Sequence, residues 1–138
     1  MLWILTGIVV ALAAAAALLL VLQARAPSLK LTESDGIRYG VYRGGDVVGD
    51  AVLYRGVLGV DNNGCVYFER NDTGERFLAA FPAGVVVTRD GVRTLDDREH
   101  AFGDEIAVDR TYATFFDDLT RAQQGKCAQH DGVFGVGF

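Results

Sequence analysis

The sequence predicts a mainly β fold: a small antiparallel β-barrel or roll with one α-helix in its C-terminal region, preceded by a single N-terminal transmembrane helix. Three observations predict it. From Leu2 to Leu22 there is no charged residue, and Thr6 is the one polar side chain. From Ile37 onward short apolar runs are cut by Gly, Asn and Asp turns at nearly regular spacing, the pattern of small barrels and rolls. One later segment, Thr111 to Gln124, has its apolar residues at helical spacing instead. The resulting division is an anchor over 1–24, a linker over 25–36 and a β domain over 37–138.

The anchor follows from length. At 1.5 Å per residue the run from Leu2 to Leu22 spans about 31 Å, the hydrocarbon thickness of a bilayer. A cleavable signal peptide has a basic leading region and a shorter apolar core; no basic side chain precedes this run. Ala24-Arg25-Ala26 imitates a cleavage site, but Pro27 follows it, with fixed φ and no N–H to offer a peptidase. An uncleaved anchor is therefore expected. Gly7, Ala11 and Ala15 recur four residues apart, which lets two membrane helices approach closely, although an alanine-rich stretch supplies such spacing by composition alone. Trp3 is placed as an interfacial anchor.

Pro27 ends the helical pattern and opens the linker. Ile37, Tyr39 and Val41 alternate with Arg38, Gly40 and Tyr42, the period of a half-buried strand. Val52 to Val60 is a second extended stretch, with bends or bulges expected at Gly56 and Gly59. Asp61-Asn62-Asn63-Gly64 is a turn, Cys65 to Arg70 a strand, Asn71-Asp72-Thr73-Gly74 a turn, and Glu75 to Phe81 the returning strand of a hairpin. Pro82-Ala83-Gly84 interrupts it. Strands follow at Val85 to Arg89 and, after Asp90-Gly91, at Val92 to Leu95. A charged loop over Asp96 to Asp104 leads to a strand at Glu105 to Asp109. Tyr112, Phe115, Phe116, Leu119 and Ala122 form the inward stripe of the helix over Thr111 to Gln124, which Gly125 and Lys126 stop. The apolar run Val133 to Phe138 requires a place inside the sheet.

Charge and cysteines bound the function. With Arg25 set aside, 12 basic residues face 18 acidic ones beyond the anchor. Such a surface repels phosphate, which argues against nucleic acid and against lying flat on anionic lipid. Cys65 and Cys127 are two cysteines far apart, with no CxxC and no histidine at metal spacing; they are expected to form one disulfide in an oxidising compartment. Against this, the basic residues nearest the anchor, Arg25 and Lys30, both follow it, and the positive-inside rule taken literally puts the domain in the cytoplasm. The extracytoplasmic side is favoured, since two residues make a thin orientation signal.

Gly64-Cys65-Val66-Tyr67-Phe68, Phe81-Pro82-Ala83-Gly84-Val85 and Gly103-Asp104-Glu105-Ile106 together resemble a group of small exported bacterial domains with a GCxY strand, a P-x-G turn, a GD turn and a late cysteine before a glycine-containing apolar strand, here Cys127 to Gly137. The resemblance covers roughly 56–109 and the C-terminal tail. It implies a small β-barrel, an extracytoplasmic home and pairing of the two cysteines, and it implies no activity. The aromatic segment at Thr111 to Gln124 departs from the pattern.

No catalytic constellation emerges. Ser28 and Ser34 are the only serines, and both fall in the expected linker. His100 and His130 are expected in loops flanked by acids, short of the three or four ligands of a transition-metal site. Asp96, Asp97, Glu99, Asp104 and Glu105 lack the register of a calcium loop, as does Asp61 to Gly64. Gly44-Gly45 lacks the lysine and helix start of a phosphate loop, and Asn71-Asp72-Thr73, a formal glycosylation sequon, reads as a turn. No metal, no cofactor and no catalysis are expected. The leading expectation is a non-catalytic accessory or assembly subunit of a larger membrane protein complex. The alternative is a membrane-anchored module that binds an envelope ligand through loops such as Asp96 to Asp104, and after it an enzyme of unrecognised type.

Overall fold

A computed structural model describes residues 2–25, 28–43, 53–110, 124–130 and 132–138. Helix α1, Leu2–Arg25, leads into ten strands: β1 (Ser28–Ser34), β2 (Ile37–Arg43), β3 (Leu53–Val60), β4 (Val66–Arg70), β5 (Arg76–Pro82), β6 (Val86–Val87), β7 (Gly91–Arg93), β8 (Glu99–Ala101), β9 (Glu105–Arg110) and β10 (Val133–Gly137). A short 3-10 turn, Gly125–Cys127, precedes β10. The fold is mainly β, as expected, and the described helix is the N-terminal one. The helix expected over Thr111 to Gln124 lies outside the described residues, apart from Gln124 at its end.

Helix α1 forms because leucine and alanine dominate it and no proline interrupts it. Its side chains are described over residues 4–20, and every one of them is exposed. A transmembrane anchor was expected here, but among the described residues no helix is long and apolar enough to cross a membrane. The side chain of Trp3 lies outside those described.

The segment expected to be linker holds a strand instead. Asp35 and Gly36 both have positive φ, 52° and 77°, the geometry of a two-residue hairpin turn whose twist matches its strands. They pair Ser34 with Ile37 and carry the register back to Ser28 opposite Arg43. Leu29 and Leu31 on β1 pack against a buried cluster, which is the reason the segment is ordered.

The larger sheet runs β1-β2-β5-β10-β9-β3-β4, with β5 also paired to β4. Leu78 faces Tyr67 of β4 across one edge and Val133 of β10 across the other. The pairings β5–β10–β9–β3–β4 therefore lead back to β5. Most are antiparallel, but β5 runs parallel to both β2 and β10, so the sheet is mixed where an antiparallel one was expected. A second sheet, β6-β7-β8, is a three-stranded meander. Its last strand, Glu99–Ala101, falls inside what was expected to be one charged loop.

Two apolar clusters flank β5. Ala79 and Phe81 enter the main core, with Leu58, Val66, Phe68, Val108, Phe134 and Val136. Leu78 and Ala80 face the other way, joining Tyr42, Cys65, Cys127 and Val133. A strand covered on both faces has no polar side to alternate with, which explains the unbroken apolar run Phe77 to Phe81. The same holds for β2, expected to be half buried: Ile37 and Tyr39 lie in the main core and Tyr42 in the second cluster. Gly56 and Gly59 make no bulge, since β3 pairs with β4 without interruption from Gly56 to Val60. They allow close approach: a Cβ at Gly59 would lie 2.5 Å from the Tyr67 hydroxyl, and one at Gly56 2.1 Å from the Glu69 carbonyl oxygen and 2.7 Å from Phe68 Cζ.

Candidate functional site at the Asp61–His130 pair

The turn between β3 and β4 is built by one carboxylate. Asp61 Oδ1 accepts the backbone N–H groups of Asn63 at 2.8 Å and Cys65 at 2.9 Å, an Asx turn that fixes the local path. Gly64 completes it at φ 79°, with its α-carbon close against the carbonyl of Gly36, where a Cβ would approach to 2.6 Å. Cys65 then enters the second core and is fully buried, bonded to Cys127 with the Cα atoms 5.7 Å apart. The disulfide expected from the sequence is present.

The other side comes from 69 residues away. His130 places Nε2 2.8 Å from Asp61 Oδ2, where it donates to the carboxylate. Gln129 Nε2 donates to the same oxygen, also at 2.8 Å. Asp61 thus collects four donors, two from its own turn and two from the segment that follows Cys127. The His130 side chain is only 4% exposed, and its ring stacks on Tyr67 with centroids 6.0 Å apart. The Arg76 guanidinium lies over the same Tyr67 ring at 4.4 Å and pairs with Glu69, a bond that raises the arginine's pKa. A buried acid–imidazole pair is a chemically capable arrangement, yet here the neighbouring sulfur is committed to the disulfide and solvent barely reaches the ring. In this state the cluster acts as a fastener between two loops.

Asp61, Cys65 and His130 bring three potential metal donors within 4.8 Å of one another, the one such group among the described residues. Sequence reasoning placed each correctly in a loop or strand but not together. A signal existed in the two local spacings, Asp61-x3-Cys65 and Cys127-x2-His130, each of which puts two donors on one turn.

The acidic segment does not converge. Asp96 is held by the Thr94 hydroxyl and by Arg98 at 2.8 Å, Asp97 lies 4.0 Å from Arg93, and Glu105 lies 3.7 Å from Arg55. The Thr94 hydroxyl, with Arg98 after it, keeps the Asp96 carboxyl below the usual range. His100 stacks on Phe138 with centroids 5.3 Å apart. Its Nε2 is buried without a hydrogen-bond partner among the described residues. It stands in the wall of an open concavity of about 440 Å³ over β6–β8, with Thr88, Asp90, Arg93, Glu99 and Asp104. On α1, Gly7, Ala11 and Ala15 are exposed, and a Cβ at Gly7 would meet nothing within 4 Å.

No family model, no curated protein and no solved structure matches the chain.

Proposed function

We propose that the chain is a non-catalytic accessory subunit of a larger membrane protein. Its helix α1 lies in the bilayer beside a helix of that partner, and its β domain rests against the partner on the extracytoplasmic side. One observation carries the reading. From Ile4 to Leu20 helix α1 presents apolar side chains all round apart from Thr6, and every one of these residues is exposed. A helix apolar on every face belongs in a protein interior or a membrane; exposed in water, so large an apolar surface would associate.

The described side chains cover about 26 Å of helix axis. Leu2, Trp3, Val21 and Leu22 in the sequence bring the uncharged run up to bilayer thickness. The open space beside Gly7 supports close approach by a second helix. The buried disulfide supports the oxidising side over the orientation given by Arg25 and Lys30. The circuit of strand pairings supports reading the β domain as a small closed roll, the compact form that such a tethered module takes.

Extraction in mild detergent followed by native sizing tests the proposal. Recovery in the membrane fraction, resistant to alkaline wash, and migration with a larger complex are expected. A lone 14.9 kDa monomer would refute the partner, and a water-soluble chain would refute the tether. A second reading, an anchored module for an envelope ligand, is favoured by the concavity over β6–β8, whose wall joins His100 to Asp90, Arg93 and Glu99. It moves the binding surface from Asp96–Asp104 alone to the whole meander. Saturable thermal shifts of the full chain with envelope polymer fragments, abolished by His100→Ala, distinguish it from the first.

A further inference from the structure

We infer that Asp61, Cys65, Cys127 and His130 form a zinc site when the two cysteines are reduced, so that the second core is closed either by a disulfide or by a metal ion. This inference does not depend on the tether or on a partner.

The donor set suits zinc. Two thiolates, an imidazole and a carboxylate make an S2NO shell for a borderline-soft ion that favours tetrahedral coordination. Zinc bonds of about 2.0–2.3 Å place tetrahedral donors about 3.3–3.8 Å apart. Asp61, Cys65 and His130 already hold one donor atom each within 4.8 Å of the others, and the Cys127 sulfur is bonded to that of Cys65. Closing around an ion therefore needs shifts on the order of 1 Å, within the reach of side-chain rotation. Each half is preorganised on its own turn. Asp61 N–H bonds the Cys65 carbonyl and Gly64 N–H the Asp61 carbonyl, both at 3.0 Å, while His130 N–H reaches the Cys127 carbonyl at 3.5 Å. The outer shell is present too: Gln129 and two backbone N–H groups orient the Asp61 carboxylate, the kind of support that conserves ligand geometry. Burial excludes water from three of the four ligands.

The chemistry balances. A dithiol reductant gives two electrons and two protons to the Cys65–Cys127 bond and becomes a disulfide itself, leaving two thiols. Zn2+ binds both sulfurs and releases the two thiol protons. His130 takes the tautomer that leaves the lone pair on the nitrogen facing the ion, its single ring proton passing to the other nitrogen by exchange with solvent. An Asp61 oxygen, released from its hydrogen bond to that ring, completes the shell. Metal and disulfide exclude each other, so bound zinc protects both sulfurs from oxidation.

The test uses the full chain in detergent, reduced with a phosphine under anaerobic conditions and titrated with Co2+, then Zn2+. One equivalent of Co2+ is expected to bind with thiolate-to-cobalt charge-transfer and tetrahedral ligand-field bands, and Zn2+ is expected to displace it. The unreduced chain should take none. His130→Ala should weaken the metal by about 100-fold or more. X-ray absorption at the zinc edge of the unmutated chain should show mixed sulfur and nitrogen or oxygen ligation, which keeps the test decisive if that variant fails to fold. Absence of binding, an all-sulfur shell, or affinity unchanged by His130→Ala would overturn the inference. So would a reduced chain that unfolds and is not refolded by zinc.

Discussion

Replacing Phe134 with alanine removes the ring on which Phe68, Tyr54 and Phe77 converge, at centroid distances of 4.8, 5.6 and 5.8 Å. Phe134 is 1% exposed, so the whole transfer term is lost, about 2–3 kcal/mol for a buried phenylalanine. The edge-to-face contact with Tyr54 and the tilted contacts with Phe68 and Phe77 add about 1 kcal/mol or more. A cavity bounded by paired strands collapses poorly, and core Phe→Ala changes cost about 3–5 kcal/mol. The expected loss is about 4 kcal/mol, close to a thousandfold in the folding equilibrium and a large share of the 5–15 kcal/mol typical of a domain. Urea unfolding of the full chain in mild detergent measures it, followed by tyrosine near-ultraviolet circular dichroism. The single tryptophan, Trp3, belongs to α1, so the tyrosines of the β strands are the probe. Phe138→Ala is the control: Phe138 is 37% exposed and its loss should stay below about 1 kcal/mol. A Phe134→Ala loss under about 1.5 kcal/mol, or one equal to that of Phe138→Ala, would refute the assignment of this ring as the centre of the core.

Removing the disulfide by Cys65→Ala with Cys127→Ala frees a loop of 62 residues and should cost about 4 kcal/mol on the chain-entropy model; an unchanged urea midpoint would contradict it. Gly59→Ala brings a Cβ against the Tyr67 ring and should cost about 1–3 kcal/mol, read from the same melt, whereas a neutral result would mean that the ring is free to move. In acid, the signs follow from two exposed aspartates. Arg70 holds the Asp72 carboxyl below its ordinary value of 3.8, and the Thr94 hydroxyl does the same for Asp96. The unfolded chain therefore takes up these protons first. Their stabilisation is full above pH 3.8 and is lost as pH falls from there through the lower folded values. Asp72→Asn with Asp96→Asn should flatten the acid limb of a stability–pH curve, and an unaltered limb would count against both bonds.

What the sequence made legible was local. The β4–β5 hairpin could be read because Asn71 to Gly74 marks its turn, and β9 because the apolar run Ile106-Ala107-Val108 follows the Gly103-Asp104 turn. Strand β1 is hidden in the sequence: Pro27 and the mixed residues of Ser28 to Ser34 look like a linker, and Asp35-Gly36, whose positive φ values make the hairpin, is one short polar pair among many. Glu99 to Ala101 read as loop because a three-residue exposed strand carries no apolar signature. The parallel contacts of β5 join segments tens of residues apart, and nothing in either segment names its partner. The same distance kept His130 and Asp61 apart on paper. Burial decided their meeting: the disulfide draws the segment after Cys127 onto the Asp61 turn, and both polar groups then need each other once water is excluded.

Strand β10 lies between β5 and β9, and this placement sets the order of events during synthesis. Until residue 137 has left the ribosome, two strand edges stay open and the rings of Phe68 and Tyr54 lack the surface they cover in the finished protein. Such a nascent chain offers chaperones a long-lived unfolded substrate. Docking of β10 then closes both edges and covers both rings together.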